Sequence, residues 1–365
     1  MAELSGQGVW QIAAGDPGRD YSDLFIKHDL MLIGPGQWPL GGDFERDARA
    51  AGYSGSKIGM VRSFGEAVSP NDIILLRVGY RVRAIGLADD SGYSHNDTFD
   101  DVFGWHLGHC RRVVWQDHLE GELSAIQRQT GLFHGRKQIP TFTRVGDQKI
   151  LDPIAGLLSR CVWRALREMP PCPPAALEPD EVGTRLFSKG LPNEWVDKTL
   201  VAIQRQRRLS TWYAESETGG ARPTEHEVVA HMILPLLLAL GWSEQLLAVE
   251  WHRIDLAGFA RTPTTGENCL LVCEAKGLGH GLQDSFSQAE RYVERLKLGR
   301  CQKILLTDGQ RLYLYHRSAQ GWNPKPAGYI NIHAIRTDHV APAGTNAIDT
   351  IVALTPGGAE RDVGG

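Results

Sequence analysis

The 365-residue chain lacks the signatures of several common protein classes. Its six cysteines form no CxxC pair and no Cys/His ladder, so the sequence shows no zinc site of the usual spacing. The longest apolar stretch, residues 232–240, contains a proline and is too short to span a bilayer, and the N-terminus lacks the basic-then-apolar pattern of a signal peptide. We therefore expect a cytoplasmic protein with no membrane partner.

The sequence also has no excess of positive charge. It carries 39 Lys and Arg against 43 Asp and Glu, a net charge of -4, so any surface for nucleic acid must be local. The glycine-rich segments "GDPGRD" and "GPGQWPLGG" lack the pattern of a phosphate-binding Walker loop, which leaves nucleotide hydrolysis unsupported. The length exceeds that of a usual single core, so we expect two domains.

Residues 1–148 contain short apolar runs separated by glycine and proline, which predicts a small, mainly β domain. The predicted strands are "GVWQIAAGD", "LMLIGPG", "NDIILLRVG", "RVRAIGLADD" and "CRRVVWQDH".

Residues 149–222 are predicted to form a helical linker. A helical period over residues 151–169 stops at "PPCPP", because proline lacks a backbone donor and restricts its predecessor. A second helix over residues 196–213 carries Arg205, Arg207 and Arg208. This helix is either a solvated part of the linker or an arm that contacts phosphates.

From residue 223 the pattern becomes mixed α/β, and the predicted order is helix, three strands, helix, two strands. Thr224 and Glu227 form a capping box at the start of the first helix, and Gly241 ends it. The Asp-Gly of "QKILLTDGQRLYLYH" predicts a closing hairpin. This domain covers 223–340, an irregular tail is expected over 341–365, and the fold class is α/β, α+β overall.

Two charged residues end the apolar run "LLVCEAKGLG". Glu274 and Lys276 share a strand face because residues two apart in a strand point the same way. Asp255 lies 19 residues earlier, on a strand expected to pair beside them. Neighbouring carboxylates stay ionised together only with a cation between them, and Mg²⁺, or Mn²⁺ in its place, suits such an oxygen site. Lys276 can then orient the attacking water or help to deprotonate it.

The arrangement D...ExK after a helix bearing a glutamate resembles the PD-(D/E)XK nuclease superfamily, and most of all the N-terminal nuclease domain of type I restriction enzyme R subunits. The resemblance covers about residues 223–317, through "TEHE...ILPLLLALGW", "RIDLAGF", "CEAKG", "QAERYVERL" and "KILLTDGQRLYLY". The proline of the superfamily's name is absent before Asp255. The fold implied is a mixed sheet flanked by helices.

The resemblance implies a role for each residue of this set. Asp255, Glu274 and the carbonyl of Ala275 would bind the metal, and Lys276 would be the catalytic lysine. Glu225 would be the helix glutamate of the site, with Glu227 as its rival at the same helix end. Gln288 and Tyr292, one helical turn apart, match a polar element that lines such active sites.

The first 148 residues resemble the EVE branch of the PUA superfamily, which are small β-barrels that hold a modified base flipped out of a duplex. Such a pocket needs aromatic faces for stacking, because base extrusion costs a few kcal/mol. The aromatic candidates are Trp10, Tyr21, Trp38 and Trp105, and the candidates for phosphate contacts are Arg19, Arg62, Arg77, Arg111 and Arg112. For each of these side chains, core packing or ordinary surface exposure remains the alternative.

These features together predict a modification-dependent restriction endonuclease, similar to type IV systems, that hydrolyses phosphodiester bonds in DNA with a modified base. Cutting both strands requires two active sites, so a homodimer is expected on DNA. Two alternatives remain open. One is a non-catalytic nucleic-acid-binding module that docks a restriction partner, and the other is an RNase in phage defence.

Overall fold

The structure, a computed structural model, describes residues 7–16, 18–133, 139–215 and 222–360. The chain divides into two compact units, Met1–Cys172 and Pro173–Gly365. Each unit contains a mixed β-sheet with helices, so the predicted α+β class is confirmed at this level. None of the described helices is long and apolar enough to cross a membrane.

The first unit contains a six-stranded sheet and five helices among its described residues. Its strands are β1 (Val9–Ala13), β2 (Leu30–Ile33), β3 (Ile73–Val78), β4 (Arg81–His95), β5 (His109–Gln116) and β6 (Phe142–Arg144). Its helices are α1 (Ser22–His28), α2 (Phe44–Ala50), α3 (Gly55–Glu66), α4 (Glu120–Thr130) and α5 (Gln148–Leu158). All five strands predicted here from the sequence are present.

The sheet of the first unit has the order β2-β5-β4-β3-β1-β6. Strand β1 runs parallel to β3, and the other neighbours are antiparallel. Strands β2 and β6 stand at the two ends of this order, and in the described part of the chain no pairing joins them. The predicted closed barrel is therefore not confirmed, and the unit is described as an open mixed sheet.

Helix α5 belongs to the first unit and is not part of a linker. Its apolar side chains Ile150 and Ile154 are buried in the same core as Leu123 of α4 and as Ile73 and Ile85 of the sheet. The predicted helix over residues 151–169 ends early, at Leu158.

The segment after α5 is held by side chains of the first unit in place of helical hydrogen bonds. The buried carboxylate of Asp29 accepts hydrogen bonds from the Arg164 guanidinium and, at 2.7 Å, from the Arg167 backbone N–H. The Gln116 amide donates to the Val162 carbonyl at 2.7 Å, and Arg112 donates to the Arg167 carbonyl. These partners lie far away in sequence, so a local helical pattern could not reveal them.

The second unit contains seven strands and seven helices among its described residues. Its strands are β7 (Leu247–Trp251), β8 (Ile254–Phe259), β9 (Cys269–Ala275), β10 (Lys303–Thr307), β11 (Arg311–Ser318), β12 (Gly321–Trp322) and β13 (Gly328–Asn331). Its helices are α6 (Pro179–Ser188), α7 (Asn193–Glu215), α8 (Glu225–Val228), α9 (Leu234–Ala239), α10 (Phe286–Arg295), α11 (Ala347–Ala353) and α12 (Pro356–Glu360).

The second sheet has the order β12-β11-β10-β9-β8-β7, with β13 also paired to β11. Strands β9 and β10 are parallel with α10 between them in sequence, whereas β8 and β9 are antiparallel. The predicted order of elements is confirmed, and so is the β10–β11 hairpin. Gly309 in its turn has a φ of +84°, and a Cβ there would lie 2.1 Å from the Met232 sulfur, so only glycine fits.

Helices α6 and α7 pack into the core of the second unit, which corrects the prediction of a linker over 149–222. Val182, Leu186 and Ile203 are buried against the helix and sheet residues of this unit. The side chain of Arg207 donates to the Ile332 carbonyl, so this arginine has a structural contact. Arg205 and Arg208 are exposed on the outer face of α7.

The apolar helix that begins at residue 225 contains a wider π-helical turn over Val229–Ile233, between α8 and α9. Pro235 explains this turn, because its ring clashes with the carbonyl four residues earlier and it has no N–H to donate. The helix continues as α9, and Met232, Ile233 and Leu237 are buried.

The predicted irregular tail over 341–365 is wrong for its described part. Helix α11 buries Ile348 and Ile351 in the core of the second unit, and α12 follows it. The indole N–H of Trp242 donates to the Leu354 carbonyl at 2.7 Å. Pro, Gly and Ala suggested fraying, but a distant tryptophan and an apolar core hold these residues in place.

Candidate functional site

The two acidic residues predicted from the sequence meet at adjacent ends of β8 and β9. Leu256 pairs with Cys273, so Asp255 and Glu274 lie next to one another across the two strands. The carboxylate of Asp255 accepts a hydrogen bond of 2.7 Å from the Ala275 backbone N–H. Burial raises the pKa of Asp255, and this hydrogen bond opposes the rise. The sheet therefore fixes both acids at one edge.

Glu274 is the most deeply buried member of the site, with 2% of its surface exposed. Its Oε1 atom accepts hydrogen bonds from Lys276 Nζ at 2.8 Å and from Gln288 Nε2. Its Oε2 atom is buried and has no hydrogen-bond partner within the described ranges. Burial raises the pKa of Glu274 to about 7, and the negative charge of Asp255 adds to this effect against the opposing hydrogen bond from Lys276.

Lys276 lies between two carboxylates. Its Nζ is 2.8 Å from Glu274 Oε1 and 3.4 Å from Glu225 Oε1. Burial lowers the pKa of Lys276, but the hydrogen bond and charge of Glu274, with the charge of Glu225, outweigh burial and hold the pKa above its usual value. The lysine is therefore a cation at neutral pH, and in this state it can orient a water or stabilise negative charge.

The structure distinguishes Glu225 from its rival Glu227. The Glu227 carboxylate accepts a hydrogen bond of 2.8 Å from the Thr224 backbone N–H, while the Thr224 hydroxyl accepts one from the Glu227 N–H. This is the predicted capping box, and it occupies Glu227 at the helix start. Glu225 is the residue that lies beside Lys276.

Helix α10 supplies the last predicted residues of the site. Besides its bond to Glu274, the Gln288 amide donates to the Tyr292 hydroxyl at 3.2 Å, one helical turn away. Ala289 and Val293 are buried on the adjoining side of this helix, and the bond from Gln288 to Glu274 places the Gln288 side chain against the end of β9. The structure thus brings together Glu225, Asp255, Glu274, Lys276 and Gln288, whose roles in hydrolysis remain predictions.

A buried ion pair, not foreseen from the sequence, anchors the loop that follows Lys276. Asp308 and Arg311 are almost fully buried, and their side chains pair at 2.5 Å. The same Asp308 carboxylate accepts from the Gly279 N–H at 3.0 Å, and Arg311 donates to the His280 carbonyl at 3.0 Å. The turn of the β10–β11 hairpin thereby fixes the path of the chain just after the lysine.

The donor set of this site fits a divalent metal. Glu274 Oε2 is a buried carboxylate oxygen without a hydrogen-bond partner in the part of the chain that the structure describes, and Asp255 lies beside it. The described residues contain no group of three or more His, Cys, Asp or Glu side chains placed to hold a metal. Mg²⁺ binds through one or two carboxylates and completes its shell with waters and substrate phosphate, so two acids suffice for it.

The first unit contains a cavity of about 380 Å³. Its lining includes Asp16, Arg19, Tyr21, Gly34, Pro35, Gln37, Tyr53, Lys57, Arg77, Trp105 and His106. The loop after β1 forms one wall by a tight reversal at Gly15, where φ is +93° and a Cβ would lie 1.6 Å from the Arg19 carbonyl oxygen. The volume is within the range of small-molecule sites.

Two of the four predicted base-pocket residues, Tyr21 and Trp105, line this cavity. Trp10 does not, because it is buried in the core, where its ring stacks on Phe142 at 5.1 Å and its indole N–H donates to Asp72 at 2.8 Å. Trp38 does not line it either, because it packs in a separate apolar cluster with Phe44 and Tyr53. The predictions for Trp10 and Trp38 are therefore corrected.

Three of the five predicted phosphate-contacting arginines donate to backbone carbonyls within the first unit. Arg77 donates to the carbonyls of Gly79 and Pro140, Arg111 to those of Phe64 and Gly65, and Arg112 to that of Asp29. Arg62 is half exposed and pairs with Glu45 at 2.8 Å. Arg19 lies in the cavity wall, paired with Asp16 at 2.9 Å and 4.7 Å from the centre of the Trp105 ring.

Two cavity-lining residues were not foreseen from the sequence: Lys57, on α3, and Tyr53, just before it. The Lys57 ammonium lies 4.8 Å from the centre of the Tyr53 ring. Burial lowers the pKa of Lys57, and the charge of Arg19 adds to this effect. Burial also raises the pKa of Tyr21 to about 12, so its hydroxyl is neutral. The sequence signal for this side of the cavity is Lys57, a charged residue in the glycine- and serine-rich stretch "GYSGSKIG".

Two histidines hold the cavity segment at Pro35 and Gly36. The ring of His109 is bonded to the Pro35 carbonyl at 2.7 Å and to the Tyr93 hydroxyl at 2.9 Å, while His95 is bonded to the Gly36 carbonyl at 2.6 Å. Since the Pro35 carbonyl can only accept, Nε2 of His109 carries the proton and Nδ1 accepts from Tyr93. Burial lowers the pKa of His109 to about 4, so the ring is neutral.

Comparison of the chain with protein-family models and with curated proteins finds no significant match.

Proposed function

We propose that the second unit is a Mg²⁺-dependent nuclease that hydrolyses phosphodiester bonds. The observation that carries this proposal is the buried Glu274 carboxylate, which has one oxygen without a partner in the described structure, beside Asp255 and within 2.8 Å of Lys276. A buried carboxylate oxygen without a hydrogen bond is costly, and a fold retains one where a bound ligand compensates it.

In this proposal Asp255 and Glu274 hold the metal, with the carbonyl of Ala275 as a further oxygen donor. Bound Mg²⁺, or Mn²⁺, supplies a water of lowered pKa and neutralises charge that develops on the phosphate. Lys276, a cation held by Glu274 and Glu225, orients the water and stabilises the negative charge of the transition state. Gln288 donates a hydrogen bond to Oε1 of Glu274 and so holds the carboxylate in place. The other carboxylate oxygen, Oε2, takes no part in this bond.

The first unit would select the substrate. Its cavity has aromatic side chains on its walls, Tyr21, Tyr53 and Trp105, and polar groups such as Asp16 and Gln37 that can read a base edge. A flipped base gains stacking energy there and is discriminated by few hydrogen bonds. The whole chain would then be a modification-dependent endonuclease, similar to type IV restriction systems, with DNA as partner and two copies needed to cut both strands.

The test is a cleavage assay with the full-length chain. Duplex DNA with 5-methylcytosine, 5-hydroxymethylcytosine or unmodified cytosine, and single-stranded RNA, are incubated with Mg²⁺, with Mn²⁺ or with EDTA. We expect metal-dependent cleavage of DNA that carries one of the modified bases. Lys276→Ala should lower the rate at least 100-fold while DNA binding stays within about twofold of wild type.

Lys198→Ala is the matched control, because Lys198 is an exposed lysine whose pair with Glu194 on α7 is worth little. Parallel loss of binding and cleavage in Lys276→Ala would show that the lysine is structural. Cleavage of RNA alone would favour the RNase alternative. Binding of modified DNA without any cleavage would favour the non-catalytic docking module. Cleavage of plain DNA alone would contradict recognition of a modified base and leave the nuclease proposal standing.

A further inference from the structure

The two-residue turn between β7 and β8 has an unusual backbone. His252 and Arg253 both have positive φ, at 51° and 73°, and Glu250 in the preceding strand has a φ of 55°. Two-residue hairpin turns of this type require positive φ at both central positions, and the favoured sequence is Asn-Gly because glycine has no Cβ to clash. An arginine at the second position is therefore strained relative to glycine.

The fold holds this turn rigidly without using the Arg253 side chain. The Arg295 guanidinium of α10 donates to the His252 carbonyl at 3.0 Å. The His252 ring lies edge-on to Trp251, with ring centres 4.6 Å apart. The Arg253 side chain is exposed, and in the ranges that the structure describes it makes no hydrogen bond and no ion pair. Local packing thus gives no reason for arginine where glycine is favoured.

The position of Arg253 relative to the acidic site gives such a reason. Arg253 is the last residue of the turn before β8 and stands two residues before Asp255, so the turn lies at the end of the sheet where β9 carries Glu274. Three acids, Glu225, Asp255 and Glu274, act on one lysine, and Glu250, whose carboxylate lies 3.0 Å from His226, adds negative charge near Asp255. A polyanion that approaches these acids needs cations at the rim to offset their repulsion.

We infer that Arg253 is a substrate-binding residue whose guanidinium contacts a backbone phosphate of the nucleic acid next to the cleaved bond. The left-handed turn places Arg253 two residues before Asp255, and the conformational strain persists because substrate binding requires the arginine. Strained backbone held by its surroundings is a known feature of binding sites. This inference rests on the proposed nuclease function and names the contact that would orient its substrate.

The test compares Arg253→Gly with Arg253→Lys in the full-length chain. Glycine relieves the strain and removes the charge, whereas lysine keeps both. We expect Arg253→Gly to melt at or above the wild-type temperature, yet to bind a short DNA duplex roughly tenfold more weakly without metal. The slope of log affinity against log salt should fall by about 1, equally for duplexes with 5-hydroxymethylcytosine and with cytosine. Arg253→Lys should retain most of the binding.

Arg185→Ala, an exposed arginine on α6, controls for the loss of one charge from the same unit and should leave affinity unchanged. If Arg253→Gly binds both duplexes with wild-type affinity and salt slope while the wild-type chain cleaves DNA, the inference is overturned and the nuclease proposal stands. A lowered melting temperature in Arg253→Gly would assign the arginine a structural role and also overturn it. If the wild-type chain binds no duplex, both proposals fail together.

Discussion

The two units differ in how far the buried charged side chains of their sites are partnered. In the first unit Arg77, the buried arginine that lines the cavity, donates to the carbonyls of Gly79 and Pro140. In the second unit the buried Glu274 carboxylate keeps one oxygen without a partner in the described structure. Under the proposed function, the first site would bind a base by shape and stacking, whereas the second would bind a cation.

Of the changes that test this comparison, removal of the Glu274 charge should have the largest effect. Glu274→Gln keeps the shape and the acceptor for Lys276 and Gln288 but loses the metal-binding charge, so we expect cleavage to fall at least 100-fold. The same change should raise the free energy of unfolding at pH 8 by about 1 to 2 kcal/mol, because a buried charge is removed. Metal-dependent cleavage and urea denaturation without metal measure the two effects. A variant that is both inactive and less stable would contradict the interpretation.

An aromatic truncation in the cavity should have the next largest effect. Trp105→Ala removes a stacking wall, and we expect the affinity for the preferred modified duplex to fall about 10- to 100-fold, with little change for plain DNA. Phe187→Ala is the matched control, because this exposed aromatic residue lies on α6 of the second unit and does not line the cavity. Competition binding with modified and plain duplexes measures the selectivity. Equal losses in the two variants would remove the cavity from base recognition.

The smallest expected effect is the pH dependence of the first unit. His109 has a folded pKa of about 4 against an ordinary 6.5, so between these values the unfolded chain binds more protons. The stability it contributes is complete above pH 6.5 and is lost as the pH falls toward 4, about 2 kcal/mol between pH 7.5 and 5. Urea denaturation of wild type and His109→Gln at both pH values measures this difference. NMR should show a neutral His109 ring at pH 5, and titration near pH 6.5 would refute the assignment.

The acidic site could be predicted from the sequence because its determinants are local. Strand alternation places Glu274 beside Lys276, and helix periodicity places Gln288 beside Tyr292, without knowledge of the rest of the chain. The choice between Glu225 and Glu227 needed the structure, although the capping box, itself predicted, already gave Glu227 a partner. A capping interaction is therefore a useful signal for which of two neighbouring acids is free for another role.

The cavity could be predicted only in part because its determinants are distant in sequence. Trp10 is drawn into the core by Asp72, 62 residues away, and Arg77 is occupied by Pro140, 63 residues away. No local pattern separates an aromatic side chain that lines a cavity from one that fills a core. The same reason explains the early end of α5. Asp29 accepts hydrogen bonds from Arg164 and Arg167 in the segment after this helix, and it lies 135 or more residues away from them in sequence.

The buried pair of Asp308 and Arg311 has a consequence for how this protein can change. The pair joins the hairpin turn to the backbone at Gly279 and His280. The segment between β9 and α10 is therefore fixed in position near its start. Insertions there would have to break a desolvated ion pair, whereas the connection between β12 and β13 is exposed at residues 323–325. Variation in length among homologous sequences should therefore accumulate in the second of these connections and spare the first.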